Sequence, residues 1–376
     1  MIVIFIVLLA ALVVMVGGTL FGGYNFFGSI GDRGSMWVSY DNGTAWEEVP
    51  AARGMNSLAS LFAYTTTTPR VEEPFFLIGA RNQGLFLSAN PVLPVSTRFG
   101  EAGPDITLGQ SVTRSFAAVL FPPILTEKMS VYAIDQSRQH PREFFLAVFE
   151  DNHGKIVKWI KPEAGKAGWG ISQELYAASL ARYGMFGVRV DPANDRRIWA
   201  GGGDGLLVES QNGGASWTTR ARFHEGIKTI VGHPILASRM WIVGSRGSLI
   251  TTVDGGAAWT RLNNGLNKAK AGEIHELFYD AVNAQLLAGA DRGILRSRDN
   301  GLNWELLPLT IPPSALPVRG IAVHPQDPAT LIVSAHNLVY KSKDGGISWE
   351  QSVLPLAQPI ERLLFSPKPP YYLYAL

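Results

Sequence analysis

Apolar residues along this chain come in short runs separated by Gly, Pro, Asn and Asp, and the runs recur in threes. Phe186-Gly-Val-Arg-Val-Asp-Pro192 is followed by Arg197-Ile-Trp-Ala-Gly201 and Gly205-Leu-Leu-Val-Glu-Ser210. Val318-Arg-Gly-Ile-Ala-Val-His-Pro325 is followed in the same way by Thr330-Leu-Ile-Val-Ser334 and Leu338-Val-Tyr-Lys-Ser342. Short runs bounded by turn formers and rich in Val and Ile predict strands, named A, B and C below, with a D strand after the polar turn that closes each set. One segment breaks the pattern. Met1 to Phe27 carries no charged side chain, and Ile2 to Val16 is continuously apolar. Some 15 to 20 apolar residues at ~1.5 Å each span roughly 22 to 30 Å, close to the thickness of a bilayer core. Residues 1–27 are therefore expected to form a transmembrane or signal-anchor helix, retained in preference to being cut near Gly17-Gly18. The competing reading is a buried element of the globular body. The basic flank that usually opens such a segment is missing, so charge does not fix its orientation.

The polar turn after each C run repeats almost word for word. The copies are Ser39-Tyr-Asp41-Asn-Gly43-Thr-Ala-Trp46, Ser210-Gln-Asn212-Gly-Gly214-Ala-Ser-Trp217, Thr252-Val-Asp254-Gly-Gly256-Ala-Ala-Trp259, Ser297-Arg-Asp299-Asn-Gly301-Leu-Asn-Trp304 and Ser342-Lys-Asp344-Gly-Gly346-Ile-Ser-Trp349. The last four tryptophans fall 42, 45 and 45 residues apart, the length of a four-stranded propeller blade. The Asp is expected to close the turn by accepting backbone N–H groups two or three residues on, Gly to supply a positive φ, and Trp to start the D strand with a buried ring. A single D-x-G turn is commonplace; five in register are not.

This octapeptide resembles the Asp box, or BNR repeat, of sialidases, xyloglucanases, sortilin-type receptors and the photosystem II assembly factors of the Ycf48 type. The stretch from Met240 to Trp259 is most similar to a blade of the last group. The resemblance covers residues 30 to 376 and implies a fold, not an activity. Two units without a clear box fill the gap between Trp46 and Trp217: Phe75–Gly79 with Gly84–Ser88, and Val131–Ile134 with Phe144 to Trp159. At the termini, Met36–Ser39 reads as a C strand without A or B, while Arg362–Pro367 and Tyr371–Ala375 read as A and B without C or D. Joined, they make one closing blade. The expectation is an all-β, seven-bladed β-propeller over 28–376 behind an N-terminal anchor helix over 1–27. Family habit puts the propeller on the extracytoplasmic side.

Composition removes several chemistries. With no cysteine there is no disulfide, thiolate metal site or cysteine nucleophile, and a net charge of +2 gives no basic surplus for nucleic acid. The seven histidines show no metal-ligand spacing, and His233-Pro234 and His324-Pro325 read as features of the A–B turn. No metal and no cofactor is expected. The Arg-Ile-Pro signature of sialidases is absent. Xyloglucanases of this repeat type set paired aspartates across two propellers, and one propeller is expected here. Asp135, Glu273 and Glu361 are candidate carboxylates without a telling spacing, so no catalytic residue is expected.

What remains is a series of arginines in the expected B–C turns: Arg33, Arg81, Arg138, Arg246 and Arg292. Arg319, Lys228 and Arg114 stand near the start of A strands. B–C turns and A-strand starts share one end of a propeller, so these arginines are expected to gather there, where a planar guanidinium suits carboxylates and aromatic faces. The bland alternative is that they solvate hairpin turns. The box residues Asp41, Trp46, Asn212, Trp217, Asp254, Trp259, Asp299, Trp304, Asp344 and Trp349 lie at the opposite edge and are expected to be architecture. The functional expectation is a membrane-anchored, non-catalytic propeller that binds a protein partner through a partly basic face, as an assembly or scaffolding factor for a membrane complex. The rivals are a cell-surface carbohydrate-binding or hydrolytic propeller and a structural envelope subunit.

Overall fold

Four of the B strands are buried along their whole length. Ile198–Gly202, Met240–Gly244, Gln285–Ala290 and Leu331–Ala335 show no half-exposed position, whereas the D strand Thr218–Arg222 has none that is buried. A strand covered on both faces must be apolar on both, which is why these segments read as unbroken apolar runs and not as alternation. Trp241 and Val243 enter a core shared with Leu286, Ala288 and Leu295 of the following repeat. Between them, Ile242 joins Trp199 and Leu207 of the preceding repeat. The hydrophobic core is thus a series of layers between neighbouring sheets, and each layer is supplied by two repeats.

The computed structural model describes residues 33–34, 36–48, 55–56, 58–65, 74–81, 84–89, 129–161, 171–356, 358–366 and 371–376. The expected anchor over 1–27, Arg114 and the side chain of Arg33 lie outside what is described. Gly34–Leu376 forms one compact unit. Seven of the antiparallel sheets follow simple A-B-C-D order, six of them four-stranded and one, made of Leu58–Thr65, Pro74–Ala80 and Gly84–Ala89, three-stranded. The second sheet runs Ser130–Gln136, Glu143–Glu150, His153–Ile160 and Ile171–Ala177. The next is Met185–Val190, Ile198–Gly202, Leu206–Ser210 and Thr218–Arg222.

Three further sheets have A strands Ile227–Gly232, Ile274–Asp280 and Val318–Val323. In the closing sheet the C-terminal strands Leu363–Phe365 and Leu373–Ala375 supply A and B, and the N-terminal Trp37–Ser39 and Glu47–Glu48 supply C and D. Trp37 pairs with Ala375 and Ser39 with Leu373. A strands of successive sheets touch one another, and the closing A strand touches that of the first sheet. This is an all-β ring of radially placed sheets, the architecture of a propeller, with A strands innermost.

The box turns work as joints between sheets. The hydroxyl that opens each box donates to the box carboxylate and accepts the N–H of the box glycine: Ser342 Oγ lies 2.7 Å from Asp344 Oδ1 and 2.7 Å from Gly346 N. Ser39, Thr252 and Ser297 repeat this arrangement, and Ser210 repeats it with the side-chain amide oxygen of Asn212 in the carboxylate's place. The carboxylate reaches further than expected. Asp344 accepts Ile347 and Ser348 N–H groups, three and four residues on, and Asp41, Asp254 and Asp299 likewise accept from the fourth residue. The hydroxyl takes the nearer bonds, so the carboxylate is left to close the outer loop. Donors from neighbouring sheets then grip the box carbonyls. Arg197 Nη2 lies 2.6 Å from Gly255 O, Trp241 Nε1 3.0 Å from Asn300 O, Arg296 Nη1 2.9 Å from Gly345 O and Lys341 Nζ 3.1 Å from Asp41 O.

Candidate functional site

In the sheets that carry a box, the A–B turn and the C–D box sit at one end, and the B–C turn sits at the other with the D-to-A connection from the sheet before. Ser245 N donates to Gly226 O, and Arg292 N donates to Ala271 O across this second end. Arg246 and Arg292 occupy equivalent B–C turns of adjacent sheets and both are exposed. Each turn is braced by a carboxylate. Glu225 accepts the Arg246 N–H at 2.9 Å and the Ser248 hydroxyl, and Asp291 accepts the Glu273 N–H at 2.9 Å and faces His275 Nε2 at 2.7 Å. The connection before Arg292 contains the short helix Asn263–Lys268, which holds Leu266 buried and presents Lys268 and then Lys270 to solvent.

Of the expected arginines, Arg81 lies in the B–C turn of the three-stranded sheet, half-buried, and Arg319 is the second residue of an A strand at this same end. Arg138 does not belong with them. It lies between the A strand Ser130–Gln136 and the B strand Glu143–Glu150, in an A–B turn at the box end. This corrects the expectation of a B–C position, and the cause is plain: with no box to phase the unit, its first apolar run looks like a B strand. The turns corresponding to Arg246 hold Asp151-Asn152, Asp204 and His336-Asn337 in three other sheets, so the arginines form a patch and not a full ring.

The innermost strands add a group that the sequence reading largely missed. Lys228 Nζ donates to His275 O at 2.7 Å, Arg362 Nη1 pairs with Glu276 Oε2 at 2.5 Å, and Arg319 Nη1 pairs with Glu361 Oε2 at 3.2 Å. All stand at the start of A strands, around the central axis. Burial pushes the Lys228 ammonium down to about 8, with Arg362 and Arg319 adding to the fall against Glu276 and Glu361. Burial also raises the Glu276 carboxyl, opposed by Arg362 and Lys228, and lowers His275. Asp135 is elsewhere. It is buried at the box end, where it accepts Val190 N at 2.8 Å, so it does not meet Glu273 or Glu361.

At that box end His140, Glu143 and Asp195 come together, with His140 Nδ1 on Asp195 Oδ2 and Lys158 Nζ 2.7 Å from Glu143. The Ser137 hydroxyl also donates to Asp195, so the group closes on itself as a joint between two A–B turns. The box carboxylates are strongly stabilised as anions. The Ser348 hydroxyl and amide, with Ser342, hold Asp344 far below the usual carboxylate range, and the Ala258 amide, with Thr252, lowers Asp254. A carboxylate whose folded pKa is depressed contributes stability above its unfolded value, lost as pH falls through the folded one. The melting temperature is therefore expected to hold from pH 7 down to about 4 and to fall steeply below that. A thermal scan across pH checks this, and Asp344→Asn should flatten the acid limb.

The box repeats and the ring of antiparallel sheets place the chain among the Asp-box (BNR-repeat) β-propellers. Within that class, residues 235–363 match the family model described as photosynthesis system II assembly factor YCF48. Among solved structures, YCF48 bound to D1 peptide superposes with a TM-score of 0.54 at 14% identity, over 85% of this chain and 98% of that one. The GH74 xyloglucanase from Xanthomonas campestris also gives 0.54 at 14% identity, over 81% of this chain and 49% of the enzyme. This chain thus spans about half the length of that enzyme. At these identities the likeness is one of fold. No curated relative matches the chain.

Proposed function

We propose that this protein is a seven-bladed, non-catalytic Asp-box propeller that binds a protein partner through its arginine-bearing end, as an assembly or scaffolding factor for a membrane complex. The observation that carries the reading is the pair of exposed arginines, Arg246 and Arg292, at equivalent turns of adjacent sheets, with Lys268, Lys270 and Arg319 at the same end. Six four-stranded sheets and a three-stranded one among the described residues support the count of seven. Arg246, Arg292 and Arg319 all fall inside the segment that matches the YCF48 model. The YCF48 structure holds a D1 peptide, which supports a peptide or protein as the kind of ligand for this build of propeller. The test is stoichiometric capture of a partner from native membranes by the full-length chain, run beside an Arg246→Glu, Arg292→Glu variant. Equal recovery by both would overturn the reading.

Residues 1–27 are proposed as a retained anchor on the strength of their charge-free apolar run, and the propeller is placed outside the cytoplasm by family habit alone. Full-length protein should then stay in the membrane pellet after an alkaline carbonate wash, and release into the supernatant would contradict it. A carbohydrate-binding or hydrolytic propeller is the second reading, supported by the xyloglucanase fold likeness. Turnover or retention on a glycan panel would establish it.

A further inference from the structure

The group at the start of the A strands is unbalanced. Lys228, Arg319 and Arg362 are three cations facing two carboxylates, Glu276 and Glu361. The B–C turn behind them adds Asp291, but that carboxylate is engaged by the Glu273 amide and His275, and it is flanked by Arg292. The two carboxylates of the group are also not equivalent. Glu276 is 18% exposed and is held at 2.5 Å by Arg362, which reaches it from a strand 86 residues away. Glu361 is 51% exposed, sits immediately before the closing A strand and holds Arg319 at 3.2 Å. Surplus positive charge in a partly desolvated mouth attracts an anion more strongly than the same charge in open water. Burial is the main cause of the depressed Lys228 and His275, which marks the place as partly desolvated. The neighbouring cations act in the same direction, Arg319 and Arg362 at Lys228, and Lys228 and Arg319 at His275. Arg319 is already seated on a carboxylate of the chain itself, so the place has the right size and geometry for that group.

We propose that Lys228, Arg319 and Arg362 form a carboxylate-binding subsite at the mouth of the central channel, where Glu361 stands in for the ligand's carboxylate and yields Arg319 to it. The half-buried Glu276–Arg362 pair is the fixed wall of the subsite, and the more exposed Glu361 is its movable competitor. The subsite lies at the arginine-bearing end and deepens the partner-binding reading by naming the chemistry taken there, on which its location rests. Two sources of carboxylate are distinguishable: a free small acid, and an acidic side chain of a polypeptide.

The test is calorimetric titration of the full-length chain with citrate and, separately, with an acetylated and amidated tetra-aspartate peptide. The subsite predicts saturable binding of at least one probe, and the responding probe identifies the source. Arg319→Gln should weaken that binding at least about tenfold. Glu361→Gln should strengthen it at least about tenfold, because it removes the internal competitor and adds one net positive charge. A gain of affinity is not produced by a folding defect, so the second variant decides the matter even if the first is unstable. No binding of either probe, or a Glu361→Gln variant that binds no tighter than wild type, would overturn the proposal. The probes are small and the readout is binding to the isolated chain, so partner capture can fail while this subsite stands, and the reverse.

Discussion

Gly346→Ala is expected to destabilise the propeller by about 2–5 kcal/mol, while Gly345→Asn next to it changes stability by less than about 0.5 kcal/mol. Both glycines have positive φ, +71° at Gly345 and +91° at Gly346, so backbone freedom alone does not separate them. Their surroundings do. A Cβ at Gly345 would meet nothing within 4 Å, whereas one at Gly346 would lie 2.7 Å from Leu307 Cδ1, the side chain of the preceding repeat. At the position of Gly345 two other boxes already carry asparagine, Asn42 at φ +58° and Asn300 at φ +63°. A short polar side chain tolerates that conformation. The Gly346 position is glycine in all five boxes, and at Gly214 the would-be Cβ is 2.6 Å from Leu175 Cδ1. Chemical denaturation of the two variants checks the contrast. Equal losses would mean that the box glycine serves only its turn and not the joint between sheets.

Reversing Arg246 and Arg292 to glutamate is expected to weaken partner binding by roughly 30-fold or more, the range seen when interfacial charges are turned against their partner. Both side chains project from turns whose backbone is held by Glu225 and Asp291, through bonds to main-chain N–H groups and to Ser248 and His275. The bonds that hold the turns' backbone are made by Glu225 and Asp291, so the variant is expected to fold, which a thermal melt of the purified variant checks. Part of the loss should appear in wild type as salt is raised, since exposed charges are screened over about 8 Å at physiological ionic strength. Quantitative capture at several salt concentrations reads both effects together. Undiminished binding by the reversed variant would move the interface away from this end.

The sequence showed the repeat, the strand succession and the location of the box turns, because each is written in a local pattern. Trp241 and Ile242 are read as one apolar run whichever sheet each faces. What stayed hidden depends on contacts between repeats. The Ser or Thr that opens each box was visible as part of the repeat, but its buried bond to the box glycine, as from Gly346 N to Ser342 Oγ, was not. Arg197 and Arg296 looked like ordinary polar residues, yet they tie one sheet to the box of the next. Arg138 was misplaced because its unit lacks a clear box to set the phase. Lys228, Glu276 and Arg362 fall far apart in the chain, and only closure of the ring brings them together.

The central claim is that a partner sits on the arginine-bearing end. Its most direct test is carbodiimide crosslinking of the full-length protein in native membranes, with the linked residues identified by mass spectrometry. The account predicts crosslinks from Lys268 and Lys270, the exposed amines beside Arg292, to carboxylates of one stoichiometric partner. Crosslinks concentrated at Lys343 on the box end, with none from Lys268 or Lys270, would contradict it.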